Sequence, residues 1–80
     1  MKHSEYYFGK EEYTKYGDMV RSALSGHTVS KRVDRAEAKG GLKYEATQLG
    51  IDVFDLLACL EGMCYNGTAA EINDSTYRVF

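Results

Sequence analysis

The sequence contains no proline and no tryptophan, and only two of its 80 residues are cysteines. Without proline, the ends of helices and strands must be set by glycine, asparagine, aspartate and serine. Cys59 and Cys64 lie five residues apart in a predicted helix, which places them about 140° apart around its axis and disfavours a disulfide between them. So few cysteines favour a reducing, cytoplasmic environment.

Long apolar runs are also missing. No segment approaches the ~18 apolar residues of a membrane-spanning helix, and no apolar run follows Met1-Lys2-His3 as it would in a secretion signal. We therefore expect no membrane partner. A chain of 80 residues buries only about 60 to 65% of the surface that its unfolded form exposes, so the sequence predicts one domain, residues 1–80, with a narrow stability margin.

The net charge of -2 argues against a general polyanion binder, but the charges are unevenly distributed. Residues 31–43 carry five basic side chains against two acidic ones, Asp34 and Glu37. Residues 45–80 carry one basic side chain, Arg78, against six acidic ones. A basic middle segment is thus followed by an acidic C-terminal half.

The first predicted helix covers residues 10–24, because apolar side chains recur there every three or four residues. They are Tyr13, Tyr16, Val20, Ala23 and Leu24. Gly26 supplies a stop signal. The preceding Tyr6-Tyr7-Phe8 has strand character, and a frayed terminus is the alternative.

The segment 28–39 fits two structures. Val29 and Val33 could alternate with polar neighbours in a short strand, whereas Val29, Val33 and Ala36 also fit one face of a helix. Gly40-Gly41 would end either element.

A sharp helix-helix corner is predicted next. Leu42, Ala46 and Leu49 form a helical stripe, and Gly50 is a natural left-handed cap. Asp52 can cap the following helix, and Asp55 adds negative charge to its first turn.

Turn signals mark the C-terminal region. Asn66-Gly67 is a strong turn signal, and residues 68–72 and 75–80 flank Asn73-Asp74 as two arms of a β-hairpin.

Residues 44–63 resemble the helix-turn-helix pattern of winged-helix domains, in which a hairpin follows the second helix of the motif. The matching positions are Ala46, Leu49, Gly50, Ile51, Leu56 and Cys59. Glu45 departs from the pattern, which usually has an apolar residue there. The predicted elements indicate a single α+β domain, mostly helical, with three or four helices and a C-terminal β-hairpin. If the segment 28–39 is a strand, the order of these elements resembles a winged-helix arrangement.

The residues of the second helix do not suit DNA recognition. Bases are contacted mainly by Arg, Lys, Asn, Gln, Ser and Thr, and phosphates by cations. The positions that would face the groove carry none of these side chains; they are Asp52, Val53, Phe54, Leu57, Ala58 and Glu61. A helix this apolar is either covered on both sides, by the first helix and the hairpin, or offers one face to a partner.

Two candidate surfaces follow. The candidate protein-interaction surface comprises Phe54, Leu57, Ala58, Asp52, Asp55 and Glu61. The candidate phosphate-contacting set comprises Lys31, Arg32, Arg35, Lys39, Lys43 and Arg78. The alternative for this basic set is the solvated face of a helix rich in Arg, Lys and Glu.

Catalytic and metal-binding motifs are lacking. A metal site would require His3, His27, Cys59 and Cys64 to converge without any close ligand pair. Cys59 lies in the middle of the apolar helix, where burial raises a thiol pKa and excludes substrate. We therefore expect neither an enzyme nor a cofactor or small-molecule substrate.

The sequence as a whole predicts a non-enzymatic accessory or regulatory protein that binds a protein partner or self-associates. Small proteins of bacteria and mobile elements are often of this type. The alternative hypothesis is a winged-helix DNA-binding regulator that contacts DNA through residues 31–43 and the hairpin.

Overall fold

The structure, a computed structural model, describes the backbone of residues 9–80 and the side chains of residues 15–80. Its elements in chain order are α1 (Gly9–Leu24), β1 (Thr28–Ser30), a 3-10 turn (Val33–Arg35), α2 (Leu42–Leu49), α3 (Val53–Asn66), β2 (Ala69–Asn73) and β3 (Thr76–Val79). The predicted α+β class with a C-terminal hairpin is confirmed. Within the described part of the chain, no helix is long and apolar enough to cross a membrane.

The predicted first helix is present as α1. Val20 and Leu24 are buried, and Tyr16 packs partly buried against the core. Ala23 is exposed, so its assignment to the buried face was wrong. It lies three residues from Val20, about 60° around the axis, at the edge of that face. The side chain of Tyr13 and the predicted strand at Tyr6-Tyr7-Phe8 lie outside the described residues.

The ambiguous segment is neither one strand nor one helix. A strand occupies Thr28–Ser30 and a 3-10 turn occupies Val33–Arg35. Val33, which both alternatives buried, is 91% exposed. The N–H of Ser30 donates to the carbonyl of Gly40 at 2.8 Å, so the loop that contains the 3-10 turn folds back onto β1.

The predicted corner between α2 and α3 is confirmed. Gly50 has φ 75°, the left-handed conformation, and the N–H of Ile51 donates to the carbonyl of Ala46 at 3.1 Å. The Asp52 carboxylate accepts from the Phe54 N–H at 2.8 Å and caps α3. Glu45 also has a local role, since its carboxylate accepts from the N–H of Gly40 at 3.2 Å.

The three strands form an antiparallel sheet in the order β1-β3-β2. The turn between β2 and β3 is held by the Asn73 side chain, which accepts from the Ser75 N–H at 2.8 Å. One face of the sheet packs on the helices. The core that results contains the fully buried side chains Leu56, Leu60, Met63, Val20, Val29, Val79 and Cys59.

Candidate functional site

The helix α3 is mostly a core element, since α1, α2 and β2 all pack against it. The candidate interaction residues on it differ widely in exposure. Phe54 is 73% exposed, whereas Ala58 is 1% exposed and belongs to the interior. Asp52 is exposed, and Asp55, Leu57 and Glu61 are half-buried. Ala58 therefore has no surface to offer a partner.

An exposed aromatic ring between carboxylates remains at the start of α3. Asp52 and Asp55 lie on either side of Phe54 in the chain, and Leu57 follows one helical turn later, where it can contact the ring. We call Asp52, Phe54, Asp55 and Leu57 the Phe54 patch. It combines an exposed phenylalanine and a half-buried leucine with two negative charges.

Glu61 lies in a different environment from this patch. The hydroxyl of the buried Tyr77 donates to the Glu61 carboxylate. Burial raises the pKa of Tyr77 well above its usual range, and the negative charges of Glu61 and Glu71 raise it further. Glu61 therefore links α3 to the sheet.

Lys31 is engaged on the same side of the sheet. Its ammonium lies 4.6 Å from the centroid of the Tyr77 ring and forms an ion pair with Glu71. These contacts hold the Lys31 ammonium against the hairpin. The ammonium is therefore already engaged and not available to bind a phosphate.

The six candidate phosphate-contacting cations thus fall into two groups. Three have a carboxylate partner: Lys31 with Glu71, Arg32 with Asp34 at 2.8 Å, and Lys43 with Glu37 at 2.9 Å. The pKa of Glu37 is lowered by its hydrogen bond and charge interaction with Lys43. Among the described residues, the other three form no ion pair; they are Arg35, Lys39 and Arg78.

A groove of about 350 Å³ lies between the 3-10 turn, the loop after it and the sheet. Its charged lining residues are Arg32, Arg35 and Lys39. The remaining lining is small or hydroxyl-bearing: Thr28, Ser30, Ala38, Gly40, Gly41, Ser75 and Thr76. No carboxylate and no aromatic ring is among its lining residues, and in the described part of the chain only one of its three cations, Arg32, forms an ion pair, with Asp34. We call it the basic groove.

Two glycines shape the basic groove. Gly40 adopts φ 88°, which bends the chain back toward β1. Gly41 is buried, and a Cβ there would lie 2.0 Å from the carbonyl oxygen of Arg35. Gly40-Gly41 was predicted only to end the preceding element, and the doubled glycine beside a basic segment was the available signal for a close approach of the backbone.

A second groove, of about 410 Å³, is lined by Asp18, Arg21, Ser22, Ser25 and Phe80. It includes a carboxylate next to its single cation. Its charge is therefore balanced, unlike that of the basic groove.

Both cysteines are free thiols; Cys59 is buried in the core, and Cys64 is half-buried. Burial raises the pKa of Cys59 to about 12, and its sulfur lies 3.9 Å from that of Met63. Burial and the charges of Glu71 and Glu61 raise the pKa of Cys64. Across the residues that the structure describes, no group of three or more His, Cys, Asp and Glu side chains could hold a metal ion.

Comparison of the chain with known protein families, with curated proteins and with solved structures gives no match.

Proposed function

We propose that this protein is a small non-enzymatic accessory or regulatory domain that binds a partner protein through the Phe54 patch. The observation that supports this most is the 73% exposure of Phe54 on a helix whose other faces are largely buried. Burying a phenylalanine side chain contributes roughly 1.5 to 3 kcal/mol. A buried aromatic anchor of this kind is typical of the residues that dominate binding energy.

The charges of the patch indicate the chemistry of the partner. Asp52 and Asp55 place two negative charges within two residues of Phe54 in the chain, so a complementary surface has an apolar pocket with lysine or arginine at its rim. A symmetric dimer through this patch would bring the same carboxylates of two chains together. That repulsion favours a different protein over a second copy.

The experiment replaces Phe54 with a photoreactive phenylalanine and identifies the cross-linked protein, which is then purified. Binding of that protein is measured by calorimetry to the wild-type chain, to Phe54→Ala and to Ile72→Ala. Ile72 is the control because it is also an exposed apolar residue, at 51%, but lies on the hairpin.

We expect Phe54→Ala to weaken binding roughly 30-fold, since an anchor residue contributes about 2 kcal/mol, and Ile72→Ala to leave it unchanged. Equal affinity of Phe54→Ala and wild type would refute the proposal. Self-association that Phe54→Ala abolishes would identify a second copy as the partner instead.

A second candidate function is a winged-helix DNA-binding regulator. Two observations favour it: a strand at Thr28–Ser30 precedes the helix-helix corner, and a hairpin follows α3. The acidic start of α3 does not suit a groove of DNA, so contacts must come from the basic segment and the hairpin. This candidate predicts duplex binding that weakens steeply with salt, and absence of binding at about 50 mM salt would exclude it.

A further inference from the structure

The two faces of the sheet differ in chemistry because side chains alternate along a strand. On β1 and β3, Val29 and Tyr77 point toward the helices and are buried. The alternate residues, Thr28, Ser30, Thr76 and Arg78, form the outer face. Thr28 is paired with Arg78 and Ser30 with Thr76, so this face carries three hydroxyls beside one guanidinium.

The outer face continues directly into the basic groove. Thr28, Ser30 and Thr76 belong to both, since they also line the groove. Side chains directly opposite each other on antiparallel strands have Cβ atoms about 5 Å apart, which places Arg78 next to Thr28 at the edge of the groove. The fold therefore gathers Arg32, Arg35, Lys39 and Arg78 on one side. We call these four residues and the shared hydroxyls the phosphate face.

The other two cations of the basic set lie apart from this face. Lys31 lies on the opposite side of the sheet against Tyr77 and Glu71. The charge of Lys43 is neutralised by Glu37. Neither of them lines the basic groove.

We propose that the phosphate face binds the phosphodiester backbone of a nucleic acid. This inference rests on the second candidate function and specifies which surface performs it. Guanidinium, ammonium and hydroxyl groups are the side chains that contact phosphate oxygens. The groove has no aromatic ring to stack a base and no Asn or Gln side chain to recognise one.

The spread of the cations favours a strand over a single anion. Arg35, at the end of the 3-10 turn, and Lys39, in the loop after it, both line the groove, while Arg78 lies on β3 next to its edge. An extended row of positive charges can contact successive phosphates, whereas one isolated phosphate would reach only some of them. The three cations of the basic groove and Arg78 next to its edge thus come from different elements of the fold.

The test measures fluorescence anisotropy of a labelled strand and a labelled duplex of about twelve nucleotides over a series of salt concentrations. The site variants are Arg35→Gln/Lys39→Gln and, separately, Arg78→Gln on another element. The matched control is Lys15→Gln/Arg21→Gln, which removes the same charge from α1. Circular dichroism checks that every variant remains folded.

We expect Arg35→Gln/Lys39→Gln to bind at least about tenfold more weakly at low salt. The slope of log binding constant against log salt concentration should become less steep by about 1.8 for the duplex or about 1.4 for the single strand. Arg78→Gln should lower it by about half as much. The control should bind within about twofold of wild type, because it leaves the phosphate contacts intact. If the single strand and the duplex bind with different affinities, the tighter of the two shows which backbone geometry the phosphate face prefers.

Three results would overturn the inference. In the first, the wild type binds and the site and control variants lose the same affinity, so only overall charge matters. The DNA-binding candidate function would then survive, but binding would not depend on the phosphate face. Complete displacement of the strand by inorganic phosphate at matched ionic strength would show a single-anion site. No wild-type binding to either nucleic acid would remove both the face and the candidate function.

Discussion

Replacing Gly41 with alanine tests how the loop over the basic groove is held in place. Gly41 has φ -85° and ψ 158°, a conformation that alanine adopts freely. Where such a site has room, a change from glycine to alanine stabilises a protein by about 0.4 to 1 kcal/mol, because it restricts the unfolded chain. Here a Cβ would lie 2.0 Å from the carbonyl oxygen of Arg35 and 2.5 Å from that of Ala36.

Both obstructing atoms belong to the backbone, so no side-chain rotation relieves the overlap. The 3-10 turn must instead move away from Gly41, although the Tyr44 N–H donates to the carbonyl of Ala36 at 2.8 Å and ties the end of the turn to α2. Overpacking lowers the free energy of unfolding by typically about 1 to 3 kcal/mol. Because the obstacle is backbone, we expect Gly41→Ala to lower it by about 3 kcal/mol. In a domain of this size that corresponds to a melting temperature lower by roughly 12 to 24 °C.

Urea unfolding and thermal melting measure the effect, with Gly50→Ala as the control. Gly50 has φ 75° and nothing within 4 Å of an added Cβ, so alanine there costs only the left-handed strain of about 1 to 2 kcal/mol. We expect Gly41→Ala to lose more stability than Gly50→Ala. Gly41→Ala should also weaken binding of the labelled nucleic acid, because Arg35 moves with the 3-10 turn. A Gly41→Ala protein as stable as wild type would refute the packing described here.

Three further predictions concern stability. Asp52→Ala should lower the free energy of unfolding by about 1 kcal/mol in urea titrations, since the capped N–H of Phe54 loses its acceptor; an unchanged midpoint would contradict this. Leu60→Ala should cost about 2 to 5 kcal/mol by the same assay, because the side chain is fully buried, and a loss below about 1 kcal/mol would show a core that collapses around the gap. The raised pKa of Tyr77 predicts a pH dependence: the unfolded phenol loses its proton from about pH 10 while the folded one keeps it, so stability is full below that pH and falls as pH rises. Tyr77→Phe should reduce this alkaline loss, and an identical alkaline slope in the variant would contradict the assignment.

Local signals in the sequence determined the type and place of most elements. The spacing of Val20 and Leu24 predicted α1, Gly50 and Asp52 predicted the corner, and Asn73-Asp74 predicted the hairpin turn. Each of these signals acts over a few residues. Helical periodicity, a left-handed cap and a side chain that caps a helix are all visible in a short stretch of sequence.

The exposure of α3 could be predicted only in part. The apolar composition indicated that most of the helix is covered, but it did not distinguish Phe54 from Ala58. The structure exposes the ring of the first and buries the second. Which side of a uniformly apolar helix meets a neighbour depends on how α1, α2 and β2 pack around it, and no periodicity within the helix encodes that choice.

The candidate phosphate surface was decided by tertiary structure. The sequence determined that cations cluster in residues 31–43 and that Arg78 stands alone in the acidic half. Only the pairing of β1 with β3 brings Arg78 beside Thr28, and only the fold brings Lys31 to Glu71, 40 residues away in the chain. The physical reason is that alternation along a strand assigns neighbouring residues to opposite faces, while the register and the charges on each face come from distant segments.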